Sequence, residues 1–300
     1  MMANLPEDQL FTPGHNACAG CGAAISLRHI MKIAGKEVII VLGTGCMEVV
    51  STLYPNSAWK VPVIHSAFAN TASTASGIYY SLKAQSRKEK VIAIAGDGGT
   101  FDIGLQALSG AFARGDRILY ICYDNEAYMN TGIQKSGSTP KFAETTTTNI
   151  GTVSSGNDTN KKDIPFIMAS HGEKVYVATA SIGFYNDFEM KLKKALKHLE
   201  VGPAYLQILS PCIPGWKIPS DSAIDISKKA VLSRVYPLFE IENGIVNLQE
   251  FNQDVKIEDY LLSQGRFSHL NAGNFVEIKK NIEENFRRLK ILSNNKIKIF

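Results

Sequence analysis

Two points in the chain carry residue types suited to a hard cation and the phosphates it binds. Residues 91–134 read VIAIAGDGGTFDIGLQALSGAFARGDRILYICYDNEAYMNTGIQ, with Asp97 closing the first apolar run and Asn125 the second. Mg2+ takes oxygen ligands in an octahedron, commonly a few protein oxygens together with substrate phosphates and water. Asp97 offers a carboxylate oxygen, Asn125 an amide oxygen, and the backbone carbonyl of Ala127 a third. Gly96, Gly98 and Gly99 let the backbone turn tightly and come close to a diphosphate. A helix opening near Thr100 turns unpaired N–H groups toward that anion.

Sulfur supplies the second set of candidates. The chain has five cysteines. Cys18 and Cys21 form C-x-x-C on a glycine-rich turn, a spacing that lets one loop present both sulfurs to one metal centre. Cys46 sits at the end of a Gly-Thr-Gly turn, and Cys212 lies just past a late apolar run. An odd count, a large core and no visible secretory signal argue against a disulfide framework. Four thiolates imply either zinc or an iron–sulfur cluster, and the residues alone leave both open. Cys122, in the middle of ILYICY, reads as a small core residue.

The elements that must position these groups follow from periodicity. VIAIA and RILYICY suit buried parallel strands. Ile103, Leu105, Leu108, Ala111 and Phe112 form one face of an intervening helix. A right-handed crossover then sets the two carboxyl ends side by side, at the edge where α/β sheets bind ligands. EVIIVLG is another buried strand, so Cys46 is expected at the same edge as Asp97. Ala24, Ile25, Leu27, Ile30 and Met31 predict a helix behind the C-x-x-C that ends near Gly35. WKVPVIHSAF is a weaker strand, and Pro62 places it at a sheet edge. NTASTASGIYYSLKAQS predicts a helix of small residues under the site. Residues 135–160 are dominated by Ser, Thr, Gly and Asn; a loop this long beside a ligand site is usually functional.

Further along, 161–172 predicts a helix and VYVATA a strand. NDFEMKLKKALKHLE predicts a helix opened by an Asn186–Glu189 capping box, with Phe188, Leu192, Ala195, Leu196 and Leu199 on one face. AYLQIL is a strand, YPLFEIENG a hairpin arm, and VEIKKNIEENFRRLKILS a helix; residues 1–16 form an irregular arm. The expected fold class is α/β: a doubly wound, mostly parallel sheet with a C-terminal helical extension. Residues 1–212 would form the ligand-binding domain with its N-terminal cysteine segment. Residues 213–300 would pack on that domain or on a partner subunit.

Whole-chain properties set outer bounds. The chain has 300 residues, 45% hydrophobic and 20% charged, enough for a large core. A net charge of +4, with no dense basic run interleaved with aromatics, argues against nucleic acid. The apolar runs are too short to span a bilayer, so no membrane role is expected. The segment MMANLPEDQL lacks a basic stretch followed by an apolar core, which by default suggests the cytoplasm.

GDG alone is a weak signal. With DNEAYMNTG at this distance, the sequence resembles the thiamine diphosphate enzymes. Within that group it resembles the β subunits of 2-oxoacid:ferredoxin oxidoreductases, nearest the pyruvate type through AFANTASTASG and DNEAYMNTG, and the likeness extends into the tail. The resemblance implies a fold of the diphosphate-binding type. Mg2+ and thiamine diphosphate would sit on Gly96, Asp97, Gly98, Gly99, Asn125 and Ala127, with Thr44, Gly45 and Thr131 beside the cofactor. It implies a [4Fe–4S] cluster on Cys18, Cys21, Cys46 and Cys212. Oxidative decarboxylation must release two electrons singly, and zinc, having no redox chemistry, cannot accept them.

The resemblance also implies that Asn130 contacts the substrate carboxylate or carbonyl and that Val49 shapes the pocket for its side chain. His15 and His65 lie near the motifs without a matching role. The implied reaction is oxidation of pyruvate to acetyl-coenzyme A with ferredoxin as acceptor, reversible as pyruvate synthesis. The activating glutamate would come from an α subunit. Further clusters would come from a ferredoxin-like δ subunit, beside a γ subunit. Alternatives are a sister enzyme for 2-oxoglutarate or branched-chain 2-oxoacids, a zinc-stabilised non-redox α/β binding protein, and half of a non-redox thiamine enzyme.

Overall fold

The computed structural model describes residues 6–251 and 255–300; residues 1–5 of the expected N-terminal arm lie outside the described residues. One eight-stranded sheet runs in the order β2-β1-β3-β4-β6-β5-β7-β8. Strands β1 (Val38–Gly43), β2 (Val63–Ser66), β3 (Lys90–Gly96), β4 (Ile118–Asp124), β5 (Tyr176–Ser181) and β6 (Ala204–Leu209) are mutually parallel. β1, β4, β5 and β6 are buried along their whole length. That is why they read as continuous apolar runs rather than alternating ones. β2 forms one edge and follows Pro62, where a missing N–H costs no ladder bond.

Alternate residues of each strand feed two cores. Ile92, Ile94, Leu119 and Ile121 face α1 (Gly22–Ala34) and α6 (Tyr185–His198), joining Leu27, Ile30, Met31, Phe188 and Leu192. Val91, Ala93, Ala95, Ile118, Tyr120 and Cys122 face the other side and join Leu108, Ala111, Phe112 and Met168. The helices involved there are α3 (Thr71–Ala84), α4 (Leu105–Ala113) and α5 (Ile164–Ala169), while the short α2 (Cys46–Ser51) follows β1. Phe112 is 2% exposed. Phe112→Ala should lower stability by about 3–5 kcal/mol, read as a lower denaturant midpoint at unchanged slope.

The chain after β6 continues the same body. α7 (Ile213–Trp216), α8 (Ala223–Leu232) and α9 (Ile257–Leu261) build a third core around Trp216, Tyr260 and Phe267. The expected hairpin forms as β7 (Leu238–Glu242) and β8 (Ile245–Gln249), but it is not an arm. β7 pairs antiparallel with β5 and extends the sheet. Helix α10 (Ala272–Asn294) places Leu289 in the second core. Asn271 and Asn274 cap it reciprocally.

Three local expectations are corrected. α6 begins at Tyr185 with Phe184 before it, so Asn186 already lies inside the first turn and no Asn186–Glu189 capping box forms. The helix expected at 161–172 shortens to α5, because Lys161 and Lys162 are drawn into ion pairs. The helical segment after Asp97 starts at Gly98, not Thr100, with a wide π-type turn to Ile103 before α4. The extra residue in that turn rotates Ile103 off the buried face, leaving it 55% exposed.

Candidate active site

β1 passes outward to β2, whereas β3 passes the other way to β4. The crevice at their carboxyl ends is therefore a topological switch point, where open α/β sheets bind ligands. A cavity of about 120 Å³ opens there. Thr44, Gly45 and Cys46 line it from the end of β1, Gly96 to Gly99 from the end of β3, and Asn125, Ala127, Asn130 and Thr131 from beyond β4. Phe68, Tyr123 and Tyr128 complete the wall and were not singled out from the sequence. Val49 sits on α2 at 40% exposure and is not part of the lining.

The three oxygens proposed as metal ligands face one another. The Asn125 amide oxygen points at Asp97 Oδ1 and Ala127 O, and turning the amide over would let its nitrogen donate to them at 2.8 and 2.9 Å. In a Mg2+ octahedron with bonds of roughly 2.0–2.1 Å, neighbouring ligand oxygens lie about 2.9 Å apart. The Asn125 amide thus stands at ligand–ligand spacing from both Asp97 and Ala127, and either an amide proton or a cation between these oxygens satisfies the contacts, so the donor types fit Mg2+. Asp97 is fully buried; its Oδ2 accepts from Ser136 Oγ at 2.5 Å and its Oδ1 from the Asn125 N–H at 3.3 Å. Burial, and next the nearby Asp124 carboxylate, hold its pKa well above the usual carboxylate range. A divalent cation at this point would reverse that.

The glycines fit a close-lying ligand. A Cβ on Gly98 would stand 2.4 Å from the Tyr128 ring. Tyr128 in turn donates from its hydroxyl to Gly98 O at 3.2 Å and pairs with Phe68, ring centroids 5.6 Å apart. Gly98 and Gly99 open the helical turn after Asp97, so their N–H groups point along its axis toward the cavity end.

The cysteine pair reaches the same edge by a tether that no spacing rule could reveal. The Gly22 N–H donates to Pro211 O at 3.1 Å, and the Cys21 N–H to Cys18 O at 3.1 Å. A Cβ on Gly22 would come within 2.7 Å of the Pro211 nitrogen, so only glycine allows this approach. Ser26 Oγ and Ser210 Oγ lie 3.2 Å apart beside it. The C-x-x-C loop is thereby held against the segment bearing Cys212, and Cys46 opens α2 on the cavity wall. Burial, then the neighbouring thiols of Cys212 and Cys21, push the Cys46 thiol up to about 12. Burial raises Cys212 to about 11, with Cys21 and Cys18 contributing in the same direction. Among the described residues, no three His, Cys, Asp or Glu side chains are gathered tightly enough to hold a single metal ion. Cys122 is fully buried in the second core, as expected. His65 Nδ1 lies 2.8 Å from Glu48 Oε1, and His15 stacks on Phe11 at 5.0 Å; neither lines the cavity.

Sequence reading missed a buried ionic network behind Asn125. Asp124 accepts from Lys161 Nζ at 2.5 Å, Gln207 Nε2 at 2.8 Å and Ser138 Oγ at 2.6 Å. Glu126 accepts from Arg266 Nη2 at 2.5 Å and from Lys161 Nζ at 3.2 Å. Arg266 stacks 3.9 Å over Trp216, whose indole N–H donates to Asn125 O at 2.8 Å. The available signal was the pair of acids flanking Asn125 in DNE, inside an otherwise apolar stretch.

Residues 43–208 match the model of the thiamine pyrophosphate enzymes' C-terminal TPP-binding domain. The pyruvate synthase subunit PorB of Methanocaldococcus jannaschii is 49% identical over 298 residues, covering 96% of this chain and 99% of the relative. The chain belongs to the pyruvate synthase β-subunit family. It is accordingly a subunit of an oxidoreductase complex with a thiamine diphosphate-binding domain. A ketoisovalerate oxidoreductase subunit, VorB of Pyrococcus horikoshii, is 42% identical, covering 96% of this chain and 95% of the relative. Among solved structures, a 2-oxoglutarate:ferredoxin oxidoreductase from Magnetococcus marinus shares the fold, with TM-score 0.55 and 22% identity, covering 75% of this chain and 78% of that one. No helix among the described residues is long and apolar enough to cross a membrane.

Proposed function

We propose that this chain binds Mg2+–thiamine diphosphate through Asp97, Asn125 and the Ala127 carbonyl, and carries a [4Fe–4S] cluster on Cys18, Cys21, Cys46 and Cys212. In this reading it catalyses the CoA-dependent oxidation of pyruvate, with ferredoxin as acceptor, in the cytoplasm. When bound, thiamine diphosphate supplies the electron sink for decarboxylation and the cluster a one-electron acceptor. The chain's own part is placement. Gly96, Gly98 and Gly99 would admit the diphosphate, Thr44, Gly45 and Thr131 would wall it in, and Asn130, on the same lining, would meet a substrate carboxylate. The observation that carries the reading is the meeting of two donor sets at one sheet edge: the Asn125, Asp97 and Ala127 oxygens, and the C-x-x-C loop tied to the Cys212 segment with Cys46 on the cavity wall.

Pyruvate is favoured over branched-chain 2-oxoacids by the higher identity to the pyruvate synthase subunit. The described residues around the cavity include no glutamate to activate the cofactor, so an α subunit would supply it across the interface. The γ and δ subunits would complete the path to ferredoxin.

The zinc alternative and the cluster reading share the same four thiols and are separated by metal content. The complex isolated without oxygen should be brown, with broad absorption near ~400 nm and about four iron on this chain, as four-thiolate cubane ligation requires. Stoichiometric zinc, with no iron or acid-labile sulfide on this chain, would overturn the reading.

A further inference from the structure

Asn125 lies between two buried carboxylates, neither of which faces the cavity. Asp124 is fully buried and Glu126 is 4% exposed. Lys161 bridges them, at 2.5 Å from Asp124 Oδ2 and 3.2 Å from Glu126 Oε1, and Arg266 takes the other oxygen of Glu126 at 2.5 Å. Two negative charges are matched by two positive ones, which leaves Asp97 as the single uncompensated carboxylate at the metal turn. Asp124 is not remote from it. Ser138 donates from Oγ to Asp124 and from its N–H to Ser136 Oγ, which donates to Asp97.

We propose that Lys161 is a positioning residue that sets the charge of the metal turn, so that a divalent cation binds with the diphosphate and not ahead of it. This rests on the Mg2+–diphosphate reading above. With one net negative charge, the turn balances only half of a divalent cation, and the rest must come from the ligand phosphates. With Lys161 removed, the turn carries two. A cation is then held without the diphosphate, and the diphosphate meets a more negative site. Lys161 touches no ligand; it acts through the acids on either side of Asn125.

The test uses the intact complex and Mn2+ as the probe, with free Mn2+ measured by its EPR signal, and thiamine diphosphate binding measured separately. In the wild type, Mn2+ should bind weakly alone and tighten when thiamine diphosphate is added. Lys161→Met should bind Mn2+ alone at least tenfold more tightly and thiamine diphosphate at least tenfold more weakly. Lys161→Arg, which keeps the charge, should behave as the wild type. A lower melting temperature with both affinities unchanged would mean that Lys161 only supports the fold, and would overturn the proposal. Should Lys161→Met fail to fold, Asp124→Asn changes the charge in the opposite sense. It should weaken Mn2+ binding and tighten the diphosphate, and no change in either would also overturn the proposal. A wild-type complex in which thiamine diphosphate leaves Mn2+ affinity unaltered would instead remove the metal reading on which the proposal rests.

Discussion

Replacing Asp97 by asparagine should abolish pyruvate oxidation while leaving the cofactor-free protein at least as stable as the wild type. The two effects have one cause. Asp97 is a fully buried carboxylate that accepts from one hydroxyl and one backbone N–H. A buried charge without a partner cation costs free energy, and a neutral isostere removes that cost. The same substitution removes the only charged donor among the three facing oxygens. Residues that merely orient a metal ligand are worth about 10–100-fold in metal affinity or activity, so losing the carboxylate itself should cost more than about 100-fold. Titration of the complex with Mg2+ and thiamine diphosphate, beside thermal melts without either, measures both. An Asp97→Asn enzyme with normal cofactor affinity would show that the carboxylate is not a ligand. A large fall in melting temperature would show that it has a structural role.

Cys46→Ser should separate binding of thiamine diphosphate from electron transfer. Cys46 is the thiol that belongs to both neighbourhoods. It lines the cavity with Asp97 and Asn125, and its ionisation responds to Cys212, Cys21 and Cys18. Loss of one thiolate should bleach the absorption near ~400 nm and lower iron on this chain, and ferredoxin reduction should fall to background. Thiamine diphosphate binding should persist, since none of its proposed ligands changes. Retention of full iron and ferredoxin reduction in this variant would place the cluster elsewhere.

The central βαβ unit was legible because its information is local. Buried strands announce themselves as apolar runs, and GDG and Asn125 sit at their carboxyl ends by chain geometry alone. Much of the cavity lining followed from that. The network behind it did not, because its members are far apart in sequence. Lys161 meets Glu126 across 35 residues and Arg266 meets it across 140. A lysine near the end of a polar loop and an arginine in a charged tail have no periodicity to distinguish them from solvated surface. The error at Ile103 is of another kind. A single added residue in the turn after Asp97 shifts the helical face, and an amphipathic count that assumes uniform α geometry cannot detect it. The capping box failed because spacing alone does not say where a helix starts: α6 begins at Tyr185, one residue before Asn186, which puts the asparagine inside the first turn.

The tether from Gly22 to Pro211 has a temporal meaning as well. Three of the cysteines leave the ribosome early, yet the backbone against which their loop is pressed lies just past β6, the last of the parallel strands to be made. A nascent chain truncated before residue 204 therefore has sulfurs but no nest for them. If the four cysteines hold a cluster as proposed, the full set of ligands meets only after β6 has joined the sheet, so its loading would be a late step of maturation.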